Sequence, residues 1–454
     1  MTIPTLGCAV GLLVLFAGGL EAQSLKVPVE TYRLPNGLKV TIHEDHSAPL
    51  VAVNIWYHVG SGREVKGRSG FAHLFEHMLF QGSEHVGDDQ HFAIVQDAGG
   101  TLNGSTTTDR TNYFELVPSN FLERMLWLES DRMGFLLGPL TQAKLDNQRD
   151  VVKNERRQNY ENRPYGMTQI RMGELMYPPE HPYHWPTIGY QEDLTNASLD
   201  DVKGFFSSWY NPNNASLVVA GDVKPAEVKR LVSRYFADLP PGPKPPALTV
   251  QPVKLAADKR EVIEDRVTLP QVSIGWPTVP LWADDDAALD IAAGILGQGK
   301  SSRLYQRLVY KEQSAQNVNA FHFSRELAGL MQISATAREG FNLTQMETAI
   351  MDEVARLAKE GPTAEEMTMA KNIAEANSVF ALRSLLGKAD RINSYMTFRG
   401  KPDLFNEDLE RVRKVTAAAV QRVAQTYLTR PRVVLSTVPN GKKELAAAVT
   451  GVQP

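Results

Sequence analysis

An α+β fold of two similar duplicated domains, each a mixed or antiparallel sheet covered by helices, is what this sequence predicts. Three observations carry the prediction. At 454 residues the chain exceeds what one hydrophobic core usually organises, so two or more domains are expected. Strand-like alternation, a helix and further strands run to a proline-rich break, and the same order returns beyond it. Finally, residues 70–82 fit onto 287–299 at an offset of 217, which lays Gln81-Gly82 on Gln298-Gly299. The same offset lays a helix ending at Tyr210, before "NPNNASLVV", on one ending at Tyr427, before "LTRPRVVL". Two anchors over a hundred residues apart with one offset mark a duplicated unit.

Taken in order, the chain opens on "LGCAVGLLVLFAGGL" (6–20), followed by "EAQS". The run has the length of a signal-peptide core and is short for a membrane span. "MTIPT" holds no Lys or Arg, so only the amino terminus is positive there. Residues 1–22 are therefore expected to be a signal peptide, with a mature chain beginning near Gln23. That chain would be periplasmic or secreted and would have no membrane span. The single cysteine, Cys8, lies inside the run, so the mature chain would hold no thiol for disulfides, nucleophilic catalysis or metal ligation.

After it, "LPNGLKVTIHE" and "LVAVNIWYHVG" alternate like strands, with Asn36-Gly37 as a turn. "GFAHLFEHMLFQG" (70–82) has helical spacing, Leu74, Phe75, Met78 and Leu79 forming its apolar face. "DRTNYFELV" and "NASLVVAGDV" read as strands, with helical stretches between them. Residues 28–240 form the expected N-terminal domain and 241–253 a proline-rich linker. Residues 254–445 form the homologous domain, where "RVTLPQVSIGWP" reads as strand and 287–299 as helix.

Composition narrows the function classes. Forty-eight basic residues against fifty-two acidic ones, with no basic run, give no footprint for nucleic acid. "GILGQGKS" (294–301) matches the phosphate-loop pattern, but that loop needs a strand before it, and "AALDIAAGIL" has helical spacing. No GxSxG nucleophile elbow is present.

The informative stretch is "HLFEHMLFQGSEH" (73–85). His73 and His77 are four apart on the expected helix, so both rings lie on one face, one turn apart. Two imidazoles so placed can hold one zinc ion. Glu76 lies on nearly the same face, placed to act on a water molecule rather than as a ligand. The order HxxEH inverts the commoner HExxH, and both serve zinc peptidases. The bland alternative is a polar helix face. The duplication weighs against it: at the offset of 217, His73, Glu76 and His77 fall on Asp290, Ala293 and Gly294, so the helix itself does not demand the triplet. A catalytic zinc needs a third protein ligand. His85 and His91 are nearest, but Gly82 should end the helix and turn His85 away. Glu155 and Glu161, in "DNQRDVVKNERRQNYENRP" (146–164), compete with them, and spacing alone does not choose.

"GRSGFAHLFEHMLFQGSEH", followed 78 residues after His77 by the glutamate of "VVKNERRQ", resembles the pitrilysin/insulinase family of inverted-motif zinc peptidases. The likeness runs over roughly 28–440, through "GGTLNGSTTTDRTNYF" and "ENRPYG", and is greatest to the bacterial branch related to mitochondrial processing peptidase. It implies that His73, His77 and Glu155 bind one zinc per chain and that Glu76 is the general base. It implies a peptide substrate extended along a sheet edge, with Asn103 and Gly104 at the positions that touch its backbone. Asn-Gly is otherwise read as a tight turn. Two departures stand out. Gln148 replaces a glutamate that many members carry seven residues before the third ligand. In the second half, Val309 and Gln316 stand where members carry an Arg and a Tyr that hold substrate, while Arg307 and Tyr310 are near but out of register. The resemblance thus implies a zinc-bearing endopeptidase subunit that works with a related chain supplying that Arg and Tyr. A non-catalytic scaffold or assembly subunit is the alternative.

Overall fold

The computed structural model describes residues 25–448. The expected signal peptide, its cleavage point and Cys8 lie outside the described residues.

In the first half, alternation closes into a six-stranded sheet. Its strands are β1 (Glu30–Arg33), β2 (Lys39–Glu44), β3 (Leu50–Tyr57), β4 (Thr101–Thr106), β5 (Thr111–Pro118) and β6 (Ala215–Gly221), in the order β1-β2-β6-β3-β5-β4. The second half gives β7 (Lys259–Asp265), β8 (Gln271–Thr278), β9 (Ala315–Phe323), β10 (Gly329–Ala337) and β11 (Val433–Pro439), in the order β7-β11-β8-β10-β9. Without β1 the two orders are the same. In each the second strand of the row runs parallel to the first and antiparallel to the third. The duplication read from the offset is a duplication of topology.

Each sheet carries its own core. Val51, Val53, Ile55 and Tyr57 of β3 point into the first, with Leu74, Phe75 and Met78 of helix α1 (Phe71–Met78). Helix α1 is shorter than 70–82. It stops at Met78, and the chain turns to Gly82, whose φ of +85° is a conformation that favours glycine. In the second half the equivalent helix spans Asp286–Gly297, and Gln298 and Gly299 follow it, Gly299 at φ +80°.

The halves also exchange helices. Residues Gly166–Met176 (α3, following α2 at Gln142–Arg156) belong to the first half but pack on β8 and β11. Residues Leu385–Arg399 (α5, with α4 the Asp286–Gly297 helix) belong to the second half but pack on β3 and β6. This explains why β3 is buried on both faces: Ala52, Asn54 and Trp56 point toward α5 rather than to water. The exchange is held by polar bonds, Asn393 Nδ2 to the Asn54 carbonyl at 2.9 Å, Trp56 Nε1 to Asp390 at 3.2 Å and Lys388 to Asp45 at 2.5 Å. On the other side Gly275 makes room for Met172, since a Cβ there would stand 2.6 Å from its sulfur. Among the described residues no helix is long and apolar enough to cross a membrane.

Candidate metal centre and its cavity

Helix α1 is fixed at its start by a side chain from outside it. Glu64 accepts hydrogen bonds from the backbone N–H of Gly70 (3.0 Å) and Ala72 (2.8 Å), satisfying donors that a helix start leaves free. With Leu74, Phe75 and Met78 buried, the opposite face of α1 presents His73, Glu76 and His77. The two imidazole rings lie with centroids 4.8 Å apart. Helix α2 begins at its cap Thr141 and delivers Glu155 near its end. Glu155 Oε2 stands 3.6 Å from His73 Nε2 and 3.4 Å from His77 Nε2.

That spacing fits a shared cation. Ligand atoms about 2.0–2.2 Å from a tetrahedral zinc are separated by roughly 3.4 Å. Protonation also fits. Burial first, then the neighbouring His77, pushes the His73 pKa down to about 4, so the ring is neutral and has a lone pair to give. Glu155 is held below the usual carboxylate range, chiefly by its hydrogen bond with His77.

Glu76 lies beside this group but turns to strand β4. Its Oε2 accepts a 2.7 Å hydrogen bond from the Thr106 hydroxyl. Burial raises its pKa and the Thr106 bond opposes the rise. Gly104, two residues before Thr106, lies against it, and a Cβ at that position would meet Glu76 Cγ at 3.0 Å. Asn103 and Gly104 are inside β4, at the free edge of the sheet, and do not form a turn. The Asn103 side-chain oxygen accepts from the Gly104 N–H at 2.8 Å.

The other candidate ligands go elsewhere. His85 pairs with Asp131 at 2.5 Å. His91 is fully buried, edge-on to Phe80. Glu161 pairs with Arg156 at 3.0 Å, where the chain has left α2 through a wide π-type turn. Gln148 is buried two turns before Glu155. Val309 packs against the second core, and Arg307 is bound to Glu312 and Asp352 at 2.8 and 3.0 Å. Tyr310 is 68% exposed. Thr106 and Glu64 escaped the sequence reading. Thr106 carries a signal, since a strand puts it on the same face as Gly104; Glu64 carries none.

A second His/Asp group, Asp286, Asp290 and His322, lies on and beside α4, with Asp290 where the offset sets His73. Its members are already partnered. Asp286 accepts from the Trp282 N–H and from Arg411, both at 2.8 Å, and His322 bonds Asp290 (2.8 Å) and Thr278 (3.0 Å). The helix is retained and its polar face serves hydrogen bonding.

Between the halves lies a cavity of about 1170 Å³, lined by His73, Glu76 and Glu155 on one side and by Asn319, Phe321 and Phe323 of β9 on the other. Its rim is tied across the halves. Glu326 receives His58 at 2.8 Å and Arg63 at 3.1 Å, and Asp109 accepts from the Glu326 N–H at 3.0 Å and from the Tyr183 hydroxyl.

Comparison with known proteins finds relatives along most of the chain. The family model described as Insulinase (Peptidase family M16) matches residues 39–173, and that described as Peptidase M16 inactive domain matches 196–374. The chain is 30% identical over 395 residues to zinc protease PqqE of Helicobacter pylori, covering 86% of this chain and 88% of the relative. It is 25% identical over 418 residues to a probable mitochondrial-processing peptidase subunit beta of Arabidopsis thaliana, covering 89% and 77%. A crystal structure of a protease from Helicobacter pylori superposes with a TM-score of 0.84 at 28% identity, covering 91% of this chain and all of that one.

Proposed function

The chain belongs to the insulinase family of peptidases, and from that premise we propose that it is a zinc endopeptidase cleaving extended peptides or unstructured segments. The observation that carries the reading is the convergence of His73, His77 and Glu155 beside Glu76, under a free sheet edge and inside a large cavity. His73, His77 and Glu155 are the proposed ligands of one zinc ion. Zinc bound there would supply Lewis acidity toward the scissile carbonyl and the attacking water.

The remaining chemistry is this chain's own. Glu76 takes the proton of the attacking water and delivers it to the departing amine. The Thr106 hydroxyl holds one carboxylate oxygen of Glu76 and leaves the other to face the water. The peptide adds to the free edge of β4, accepting the Gly104 N–H that Asn103 otherwise holds. Asn103 and Gly104 thereby position the scissile bond over Glu76. In this proposal residues 28–240 form the zinc-binding half, 241–253 the linker and 254–445 the half without the motif. Residues 1–22 serve in it as an export signal, so the enzyme acts in the periplasm or outside the cell.

The clamp is incomplete within this chain. Val309 has no donor, Arg307 is committed to Glu312 and Asp352, and neither Arg307 nor Tyr310 lines the cavity. We therefore propose a related partner subunit that contributes the missing Arg and Tyr. A non-catalytic scaffold role is the alternative, and the complete ligand set speaks against it. The test is metal content: purified protein should hold about one zinc per chain, and chelation should lower its melting temperature until zinc is restored. Protein that binds no zinc under these conditions contradicts the reading.

A further inference from the structure

Strand β9 is the second half's counterpart of β4: each is the terminal strand of its sheet, and each borders the cavity. Its residues alternate sharply. Val318 and Ala320 are 5% and 0% exposed and face the second core, whereas Phe321 and Phe323 are 47% and 44% exposed. His322 between them turns the other way, to Asp290. The two phenylalanine rings lie 6.1 Å apart, tilted by 43°. Register sets Phe321 opposite Gln332 and Phe323 opposite Leu330, so only Phe323 has an apolar cross-strand neighbour.

One exposed aromatic residue is ordinary. Here two occupy successive outward positions of an edge strand, in the cavity that also holds Glu76, and neither belongs to a hydrophobic core. Two positions apart on a strand is about 6.8 Å, the spacing of side chains two residues apart on any extended peptide.

We propose that Phe321 and Phe323 form an apolar ledge that reads the substrate, selecting extended peptides with large aliphatic or aromatic side chains two residues apart. The proposal rests on the peptidase reading for its occupant. A peptide paired with the edge of β4 directs alternate side chains toward α1 and away from it. The cavity is lined by β4 and α1 on one side and by Phe321 and Phe323 on the other, so side chains that the peptide directs across it meet the ledge. Burial of an apolar side chain there favours it over a polar one of similar size, on the order of tenfold to a hundredfold in affinity.

The test is binding, so that it does not depend on turnover. In zinc-loaded, full-length Glu76→Gln protein, two fluorescent peptides are compared that differ only at two positions two residues apart, Leu in one and Ser in the other. The Leu peptide should bind at least about tenfold tighter. Phe321→Ser/Phe323→Ser should bring that ratio close to one, whereas Phe321→Leu/Phe323→Leu should keep most of it. An equal affinity for both peptides in the Glu76→Gln protein, or an undiminished ratio when the Ser double substitution is added to it with an unchanged melting temperature, overturns the ledge. If protein with Glu76 intact, supplemented with the partner chain, cleaves neither peptide while the Glu76→Gln protein keeps the ratio, the ledge is supported and the peptidase reading alone is contradicted.

Discussion

Replacing Gly104 by Ala tests how tightly the general base is positioned. The added carbon would stand 3.0 Å from Glu76 Cγ and 3.2 Å from the Phe80 ring. The Asn112 carbonyl oxygen would also stand at 3.3 Å, and since relaxed carbon contacts lie at about 3.5–4.0 Å, these neighbours must give by a few tenths of an ångström. Phe80 is wedged among the rings of His91, Phe92 and Tyr113, which leaves Glu76 as the softer partner. Stability should hardly change. Removing a glycine from a strand returns about 0.5–1 kcal/mol of chain entropy, against about 0.5–1.5 kcal/mol for a side chain pushed off its rotamer. Rate should change far more, because displacement of a reacting group by a fraction of an ångström to 1 Å costs on the order of tenfold to a hundredfold. The assay is steady-state cleavage of a quenched fluorescent peptide, with zinc content and melting temperature measured on the same sample. The expected result is a fall of that size in kcat with zinc retained and the melting temperature within a few degrees of the parent. An unchanged kcat, or a loss of activity explained by lost zinc, refutes the placement of Glu76 beneath β4.

Glu155→Gln should lower zinc occupancy measured by metal analysis, while Glu161→Gln, whose carboxylate is paired with Arg156, should leave it intact; equal effects would remove Glu155 from the ligand set. Thr106→Val should shift the pH profile. The Thr106 hydrogen bond lowers the Glu76 pKa against burial, so its loss raises that pKa, and because the base works ionised the acid limb of kcat/KM moves to higher pH. An unmoved acid limb contradicts that role. This chain assayed alone should be a weak peptidase, and mixing it with a related chain that has the Arg and Tyr but lacks HxxEH should raise turnover. Full activity alone, unchanged by mixing, contradicts the partner proposal.

Legibility in the sequence followed the range of the interaction. The pairing of His73 with His77 is set by one turn of helix, so spacing alone declares it. Glu155 reaches them only through the packing of α2 on α1, which is why the residues alone left it level with Glu161 and the family resemblance had to choose. The duplication was readable from two short anchors because strand order survives in both halves. Strand β7 was not, since "KREVIED" has only two apolar residues and Val262 is 42% exposed. The exchange of α3 and α5 leaves no local pattern either: their apolar residues are complementary to the other half's sheet, and a sequence does not say which sheet a helix covers. Gly104 and Thr106 matter through a contact with Glu76, some thirty residues away, that only the folded sheet edge creates.

Glu76→Gln tests the zinc-peptidase chemistry most directly. Zinc and peptide turnover should be measured on one preparation of the variant and one of the parent, each supplemented with the partner chain if the parent needs it. The ligands are untouched and only the base is lost, so the account predicts about one zinc per chain in both and cleavage abolished in the variant alone. Near-normal turnover by the variant, or a parent that cleaves without bound metal, would contradict it.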